Sequence, residues 1–366
     1  MSRALREERL SVLFVTITLL SVGIVMVYSA SAVYAYEYYG NNFHFLNNHL
    51  IAIGAGFLAC MGLMIIDVGH LRPHSRSLFA FSLIMLSLVF VPGIGLEAGG
   101  ARRWIGLGPL NFQPAEIVKP VFLLYMADFL DRRSVSSLNS LKAYVPALLI
   151  IVSITGFVML EPDLGTAVEF ALVGLVLLFA SGTRIRYLSF TFAAAVPVLF
   201  MAILKSPYRL ARIFAFLDPW KDPAGRGFQI IQSFIALGSG GFFGVGLGNS
   251  TQKLFYLPES HTDFLFSILG EELGFAGTSL VTVLFFFLIY KLFSMARKKN
   301  SEFSRLLLIG IASMFAIEVI LNIGVSTALM PTKGLPLPFI SYGGSSLVAH
   351  MALIALAFNI SRERVR

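Results

Sequence analysis

One polar stretch stands out in an otherwise strongly apolar chain, and it ends in a carboxylate. Residues 205–263 form this stretch, which closes with the side chains of Glu259, His261, Thr262 and Asp263. An apolar run begins directly after Asp263, so the carboxylate is expected near the first turn of a membrane helix. A carboxylate placed there could be a general base, provided that it lies within hydrogen-bond reach of the proton it removes. The alternative is that Thr262 or Asp263 only caps the helix.

A second group of charges surrounds the start of another predicted helix. Arg102 and Arg103 precede Pro114, which suits a first helical turn, and Glu116 and Lys119 then fall on one helix face. At a water-exposed site such a pair is worth only about a few tenths of a kcal/mol. Inside a membrane bundle, however, ionisable residues usually face a cavity and are functional. We therefore favour a functional interpretation of Glu116 and Lys119.

Other polar groups are weaker candidates. Lys333 and Ser341 lie in a Pro/Gly-rich loop that could hold an anion or could be a turn only. Cations from Arg209 to Arg226 suit an interfacial amphipathic helix anchored at headgroups. The glycines of residues 238–248 favour close packing or a re-entrant turn over nucleotide binding, because no strand precedes them. Four further intramembrane groups could serve as contacts between helices: Glu271, Glu272, Glu318 and His350.

Composition places the chain among polytopic membrane proteins. Apolar residues make up 57% of it and charged residues 13%, where soluble domains carry about 25%. A net charge of +8 would suggest a nucleic-acid partner in a soluble protein, but here the cations flank apolar runs, so no nucleic acid is expected. The single cysteine, Cys60, excludes an intramolecular disulfide.

The apolar runs predict an all-α bundle of about ten transmembrane helices in one domain, residues 1–366. The fifth and sixth are joined only by Glu161, Pro162 and Asp163. A large extracytoplasmic loop, residues 205–263, separates helices seven and eight. The predicted helices are 10–30, 49–66, 77–92, 115–130, 143–160, 164–181, 187–204, 264–292, 304–328 and 344–361.

Loop charges predict the orientation of this bundle. The termini and the short connections on their side carry 18 of the 28 Lys and Arg residues. Under the positive-inside rule both termini are then cytoplasmic, and the loops at 31–48, 92–115, 205–263 and 329–343 face outward.

Taken together, these motifs resemble the SEDS family (shape, elongation, division, sporulation) of ten-helix peptidoglycan polymerases in the bacterial cytoplasmic membrane. The resemblance runs from the first helix to Ser346 and is strongest to the division branch, with the elongation and sporulation branches as alternatives. The motifs that carry it begin at Gly100, Asp218 and Asn249. One departure occurs at Leu46-Asn47-Asn48-His49, where members often have a basic residue followed by Gln.

The resemblance implies a reaction and roles for several residues. Lipid II, a polyprenyl-linked disaccharide, would be polymerised by inverting transfer with release of polyprenyl pyrophosphate. Asp263 matches the aspartate regarded as essential, whereas Glu116, Lys119 and Asp163 match polar residues of a central cavity. Outward cations available to the leaving diphosphate are Arg102, Arg103, Lys119, Lys253 and Lys333.

The implied cofactors and partners are few. No cofactor is required, although a divalent cation (Mg or Mn), held by carboxylates such as Glu116 and Asp263, could support the leaving group. The family implies a class B penicillin-binding protein as partner, together with other division membrane proteins. Two other classes compete with the polymerase: a transporter that moves the same lipid between leaflets, and a non-catalytic scaffold for a transpeptidase.

Overall fold

The computed structural model describes residues 3–98, 100–107, 110–133 and 139–362. Gly108 and Pro109 of the arginine motif, and Arg364 and Arg366 of the basic terminus, lie outside the described residues. The described chain is mostly helical. Its α-helices are α1 (Arg3–Tyr39), α2 (His44–Ile65), α3 (Val68–Leu71), α4 (Ser75–Leu88), α5 (Pro114–Asp131), α6 (Leu141–Leu160), α7 (Leu164–Ala180), α8 (Ile185–Leu204), α9 (Pro207–Leu217), α10 (Phe228–Ser239), α11 (Leu265–Arg297), α12 (Glu302–Ser326) and α13 (Gly344–Arg362).

The ten predicted helices are confirmed as α1, α2, α4 to α8 and α11 to α13. Seven described helices are long and apolar enough to cross a membrane: α1, α2, α6, α8, α11, α12 and α13. Of the other three, α4 and α7 have only 14 and 17 residues, and α5 carries buried Glu116, Lys119 and Asp128. Helix α5 is shielded by its neighbours, which lets a polar helix lie in an apolar bundle.

The core of the bundle is formed by α5, α12 and α13. The apolar stretches of α12 and α13 are 72% and 89% buried, whereas that of α8 is 0% buried and faces outward along its length. Small residues allow close approach on the inner helices: a side chain at Gly310 of α12 would start 2.9 Å from Leu123 of α5. Packing between small and branched side chains therefore fixes the relative positions of the helices that carry buried charge.

A small antiparallel sheet fills the connection between α4 and α5, where the sequence predicts only a loop. Its strands, in the order β1-β2-β3, are β1 (Gly95–Ala98), β2 (Ala101–Leu107) and β3 (Leu110–Phe112). Gly100, with φ of 76°, turns the chain between β1 and β2. The sheet holds Arg102 and Arg103 on a strand, so they occupy defined positions.

Helix α11 is broken near its first third. Gly274 has φ of 67° and ψ of −165°, outside the helical region. The freed backbone groups pair with the glycine-rich segment after α10: Val245 N donates to Glu271 O at 3.0 Å, and Phe275 N donates to Gly241 O at 2.9 Å. The glycines of residues 238–248 were predicted to serve close packing or a re-entrant turn. The segment is a turn, and it packs against this break. Residues 265–273 form a short half-helix that begins directly after Asp263 and Phe264.

The polar stretch 205–263 contains two α-helices, α9 and α10. The interfacial helix predicted among the cations from Arg209 to Arg226 is α9, which ends at Leu217 and is followed by a 3₁₀ turn at Pro219–Lys221. We call the end of the bundle that holds this stretch, the sheet, the 161–163 hairpin and residues 327–343 the site end. The opposite end, with the N-terminus and the connection between α11 and α12, is the basic end.

Candidate active site

Asp263 lies at the site end among charged groups from four parts of the chain. The charges that act on its carboxylate are those of Glu259, Arg212, Asp163 and Arg103. Lys333 joins them through its electrostatic interaction with Asp163. We call these six residues the outer group: Arg103, Asp163, Arg212, Glu259, Asp263 and Lys333. Three cations thus face three carboxylates around one position.

The backbone holds Asp263 in place and leaves its carboxylate free to act. Asn322 of α12 donates from Nδ2 to the carbonyl oxygens of Asp263, at 3.1 Å, and of Leu335, at 2.8 Å. Gly334 passes close to the carboxylate, since a side chain there would start 3.3 Å from Oδ2. Helix α11 begins at Leu265 after Phe264 and has no side-chain cap, so the capping alternative for Thr262 or Asp263 is wrong.

Burial alters the acidity of several groups around this position. It raises the pKa of Asp263 to about 7, and the negative charge of Glu259 adds to the rise. Burial lowers the pKa of Lys333, against the opposing effect of Asp163, and it also lowers the pKa of His261. Asp263 is therefore a carboxyl group that can take up a proton near neutral pH, as a general base requires.

The predicted tight hairpin between α6 and α7 is confirmed, and it lies beside Asp263. Arg103 clamps it, donating to the carbonyl oxygens of Glu161 at 3.1 Å and Pro162 at 2.6 Å. Asp163 caps α7 through Thr166 and accepts from Gln113 Nε2 at 3.3 Å. The Glu161 carboxyl is fully buried, and burial together with Asp163 raises its pKa to about 8.

A second set of charges lies deeper, between α5, α7, α12 and α13. Lys119 Nζ is 2.9 Å from Glu116 Oε2, 3.3 Å from Glu169 Oε2 and 2.5 Å from Glu318 Oε1. His350 Nε2 is 2.6 Å from the other oxygen of Glu318. All five are buried. We call Glu116, Lys119, Glu169, Glu318 and His350 the inner cluster; the predicted Glu116–Lys119 pair is confirmed as part of it.

Two structural links join the inner cluster to the outer group. Glu318 and Asn322 are one turn apart on α12, and Asn322 holds the Asp263 carbonyl. Gln113, which contacts Asp163, precedes the first turn of α5, where Glu116 lies. The orientation of α5 and α12 therefore positions both sets of charges.

One grouping of potential metal ligands occurs in the described residues, and it differs from the predicted one. Ligand atoms of Glu116, Glu318 and His350 lie within 4.8 Å of one another, but Asp263 is not among them. The Lys119 ammonium already contacts Glu116 and Glu318. A cation of the protein itself thus supplies the charge that a metal would bring, and the predicted Mg or Mn ion stays a prediction.

The other predicted substrate-binding residues differ in whether their side chains are exposed and already paired. Lys253 is buried in an ion pair with Glu272 at 2.7 Å and contacts Ser29 at 3.1 Å, so its charge is already compensated. Arg102 is exposed and 3.6 Å from Glu97. Thr262 donates to Glu259 Oε2 at 3.0 Å, which ties two predicted residues together.

His261 and Ser341 lie where two loops meet. The His261 carbonyl accepts from Tyr342 N at 3.0 Å, which joins the stretch before α11 to the one before α13. Both side chains are buried, and His261 Nδ1 and Ser341 Oγ have no hydrogen-bond partner among the described residues. These two polar atoms are available to a ligand that reaches the loops.

Several contributors to the site are not predicted by the sequence patterns. The pattern around Arg212 favours headgroup anchoring, yet its Nη1 donates to Thr332 O at 3.0 Å and its charge acts on Asp263. Glu161 and Glu169 are absent from the predicted site. The signal available for Glu169 is a lone carboxyl group in an apolar helix, and that for Glu161 is its place beside Asp163.

The fold and site define a polytopic membrane protein with a carboxylate-centred site at one end of its bundle. Residues 9–366 match the profile of the FtsW/RodA/SpoVE family, described as cell cycle proteins. The chain belongs to this family, and the predicted family resemblance is confirmed.

Relatives in several bacteria match over almost their whole length. The chain is 43% identical over 358 residues to the probable peptidoglycan glycosyltransferase FtsW of Trichlorobacter lovleyi, covering 98% of this chain and 94% of the relative. It is 40% identical to stage V sporulation protein E of Bacillus subtilis, covering 96% of each.

Solved structures agree with the fold. A chain from a peptidoglycan synthase complex that coordinates polymerization and crosslinking superposes with a TM-score of 0.81 at 33% identity, covering 97% of this chain and 98% of that one. The rod shape determining protein RodA of Thermus thermophilus gives a TM-score of 0.72 at 30% identity, covering 97% of each chain.

The inner cluster predicts a strong dependence of stability on Lys119. In Lys119→Met three buried carboxyl groups lose their shared cation, which should cost about 3–5 kcal/mol of folding free energy. The midpoint of thermal unfolding in detergent should fall clearly, and a second change, Glu169→Gln, should restore part of it. Lys142→Met, which removes an exposed lysine, is the control. An unfolding midpoint for Lys119→Met equal to that of the control would contradict the ion-pair arrangement.

Proposed function

We propose that this chain is a peptidoglycan glycosyltransferase that polymerises lipid II in the bacterial cytoplasmic membrane and acts in septal wall synthesis during division. The observation that carries the proposal is the Asp263 carboxyl, whose pKa is raised to about 7, among the three cations of the outer group. The names of the relatives and the match to a peptidoglycan synthase complex support the same reaction.

In the proposed mechanism Asp263 is the general base. The 4-hydroxyl of the acceptor sugar attacks the anomeric carbon of the lipid-linked donor, and its proton passes to the Asp263 carboxylate. The bond from the anomeric carbon to the diphosphate breaks, and its electron pair leaves with the diphosphate. A single displacement inverts the anomeric centre.

Positive charge around Asp263 suits the leaving diphosphate. Arg103 and Arg212 act on the Asp263 position and are held by backbone carbonyl oxygens, so among the described residues neither forms a direct ion pair with a carboxylate there. Lys333 interacts with Asp163 next to them. Fixed cations stabilise charge that develops in the transition state without having to reorganise. We give Lys253 no such role, because Glu272 already neutralises it.

The proposed orientation places the site end outside the cell and both termini in the cytoplasm. The 18 Lys and Arg residues on the terminal side support it through the positive-inside rule. Lipid II carries its disaccharide head on the outer leaflet, so a base at that end meets the head while the polyprenyl tail stays in the bilayer.

Replacing Asp263 tests the proposal. Purified Asp263→Asn or Asp263→Ala protein should form no glycan polymer from lipid II, since the acceptor hydroxyl then has no base. The control Glu97→Gln, which removes an exposed carboxylate of β1, should polymerise like the wild type. Polymer length and amount are read on a gel after reaction in vesicles that offer lipid II on one leaflet only.

Several outcomes of this experiment would contradict the proposal. Polymer from the Asp263 variants at the wild-type level would remove the base assignment. Movement of lipid II between leaflets without any polymer from the wild type would favour a transporter. Polymer formed only when lipid II faces the basic end would place the active site at that end and contradict its assignment to the site end.

The pH dependence of polymerisation should follow the ionisation of Asp263. The base must be ionised, so the rate should rise as pH increases through about 7, the pKa of this carboxyl. The negative charge of Glu259 raises that pKa, so Glu259→Gln should lower it and shift the rising limb to lower pH. Initial rates across pH 5 to 9 measure the shift, with Glu97→Gln as the unshifted control. If the rate of Glu259→Gln rises at the same pH as that of the wild type, a group other than Asp263 controls the rate.

The proposed partner is a class B penicillin-binding protein with a single membrane helix. A groove of about 500 Å³ runs along α11 beside α12. Beyond the break at Gly274, it is lined in part by the small side chains of Thr278, Ser279 and Thr282, which let another helix approach closely in a membrane. The match to a chain from a synthase complex supports a partner of this kind.

Filling the groove should weaken this association. Ser279→Trp places a large ring among the lining residues and should abolish co-purification with the transpeptidase, while polymerisation by the chain alone persists. Ala194→Trp on the exposed face of α8 is the matched control and should leave the complex intact. Equal recovery of the partner with both variants would place its helix elsewhere on the bundle.

A further inference from the structure

A patch of aromatic side chains covers the site end beside the loop that carries Asp263. Tyr38 and Tyr39 come from the end of α1, and Phe255 and Tyr256 come from the stretch before α11. Each is between 49% and 64% exposed. We call these four residues the aromatic face. Aromatic rings at the end of a membrane helix usually form an interfacial belt. The position of this face relative to the bilayer therefore decides whether it is such a belt or a binding surface.

Helix α1 is too long for its last turns to remain in the bilayer. It has 37 residues, and its apolar run begins at Leu10, just after Glu8, which pairs with Lys298 at the basic end. The hydrocarbon core takes about 20 residues, which brings its outer edge near Ala30. Tyr38 is eight residues further on, or about 12 Å at 1.5 Å per residue, whereas the headgroup layer is only about 5–8 Å thick. The aromatic face therefore lies beyond the headgroups.

A continuous set of ring contacts joins the aromatic face to the loop that carries Asp263. The His261 ring is 5.6 Å from that of Tyr34, which is 4.4 Å from that of Tyr38. Phe255 is 6.0 Å from Tyr34 and 6.3 Å from Tyr38. The rings thus extend from two residues before the proposed base to the exposed surface.

The backbone that presents Phe255 is strained. Phe255 has φ of 66° and Glu259 has φ of 55°, values that side chains other than glycine rarely adopt. Strain of this kind costs about 1–3 kcal/mol per residue and is concentrated at functional sites. The chain here holds an apolar ring half exposed at an energetic cost.

The surroundings of the aromatic face are polar and carry few charges, one of which is the exposed Glu259 next to Tyr34. Residues 31–48 contain one charged side chain, Glu37, and the exposed amides of Asn41, Asn42, Asn47 and Asn48. Aromatic rings stack against the C–H faces of pyranose sugars, and amides bond to their hydroxyl and acetamido groups. An anionic lipid surface or an acidic protein would instead call for clustered cations.

We propose that the aromatic face binds the growing glycan strand as it leaves the site. The occupant is a polymer of N-acetylated amino sugars, stacked on Tyr38 and Phe255 and flanked by the asparagine amides. The inference rests on the proposed polymerase function and adds a second contact to it: the face holds sugars that have already been joined, so successive additions occur before release.

Binding of a soluble sugar tests this face separately from catalysis. The probe is a short oligomer of β-1,4-linked N-acetylglucosamine, titrated by calorimetry against full-length protein in detergent. The double variant Tyr38→Ala with Phe255→Ala should bind it about tenfold more weakly, the loss expected for removing stacked aromatic contacts. Tyr38→Phe, which keeps the ring, should bind normally. So should Phe190→Ala with Phe192→Ala, which removes two exposed rings of α8.

Product length provides the second measurement. With lipid II and the same amount of partner, the Tyr38/Phe255 double variant should make shorter strands at an unchanged initial rate, while the α8 double variant should make strands of wild-type length. Equal oligomer affinity in both double variants, or quenching of a fluorophore attached at position 38 by lipids labelled within the bilayer, would overturn the proposal. So would normal oligomer binding with a loss of partner-stimulated synthesis only, which indicates a protein interface. If the wild type forms no polymer but the oligomer still binds at Tyr38 and Phe255, only the polymerase assignment fails.

Discussion

The Lys119 ammonium, held by three carboxylates within an apolar bundle, is the interaction on which the rest of the structure depends. Its contacts to Glu116, Glu169 and Glu318 join α5, α7 and α12, and His350 adds α13. Charge buried so deeply is tolerated only when it is paired and hydrogen-bonded. The relative rotation of these four helices is thereby restricted, and the backbone elements that carry Asp163 and Asp263 are restricted with them.

The outer group uses charge for a different purpose. Here carboxylates and cations are near one another without closing into compact ion pairs, because Arg103 and Arg212 are occupied by backbone carbonyl oxygens. Asp263 consequently gains no direct neutralising partner among the described residues, and burial keeps its pKa near 7. The charges of the inner cluster are all paired, which makes that region rigid. The charges of the outer group are paired incompletely, which leaves Asp263 able to take up a proton.

Much of the architecture could be predicted, because helix boundaries follow from local signals. The apolar runs, Pro114 and the 161–163 hairpin each depend on neighbouring residues only. The three-stranded sheet and the break at Gly274 depend on partners far along the chain, and no local pattern announces them. The same holds for the site: Asp263 and Arg103 were predicted from their positions and Asp163 from the family resemblance, but the pairing of Lys253 with Glu272 required the fold.

The break in α11 has a mechanical consequence for the base. A continuous membrane helix would transmit its own stiffness to its first turn, but at Gly274 that stiffness is interrupted and replaced by bonds from residues 241–246. The half-helix that follows Asp263 is therefore held by hydrogen bonds from residues 241–246 instead of by the rest of its own helix. A shift of residues 241–246 is therefore expected to move residues 265–273, and with them the backbone next to the Asp263 carboxyl.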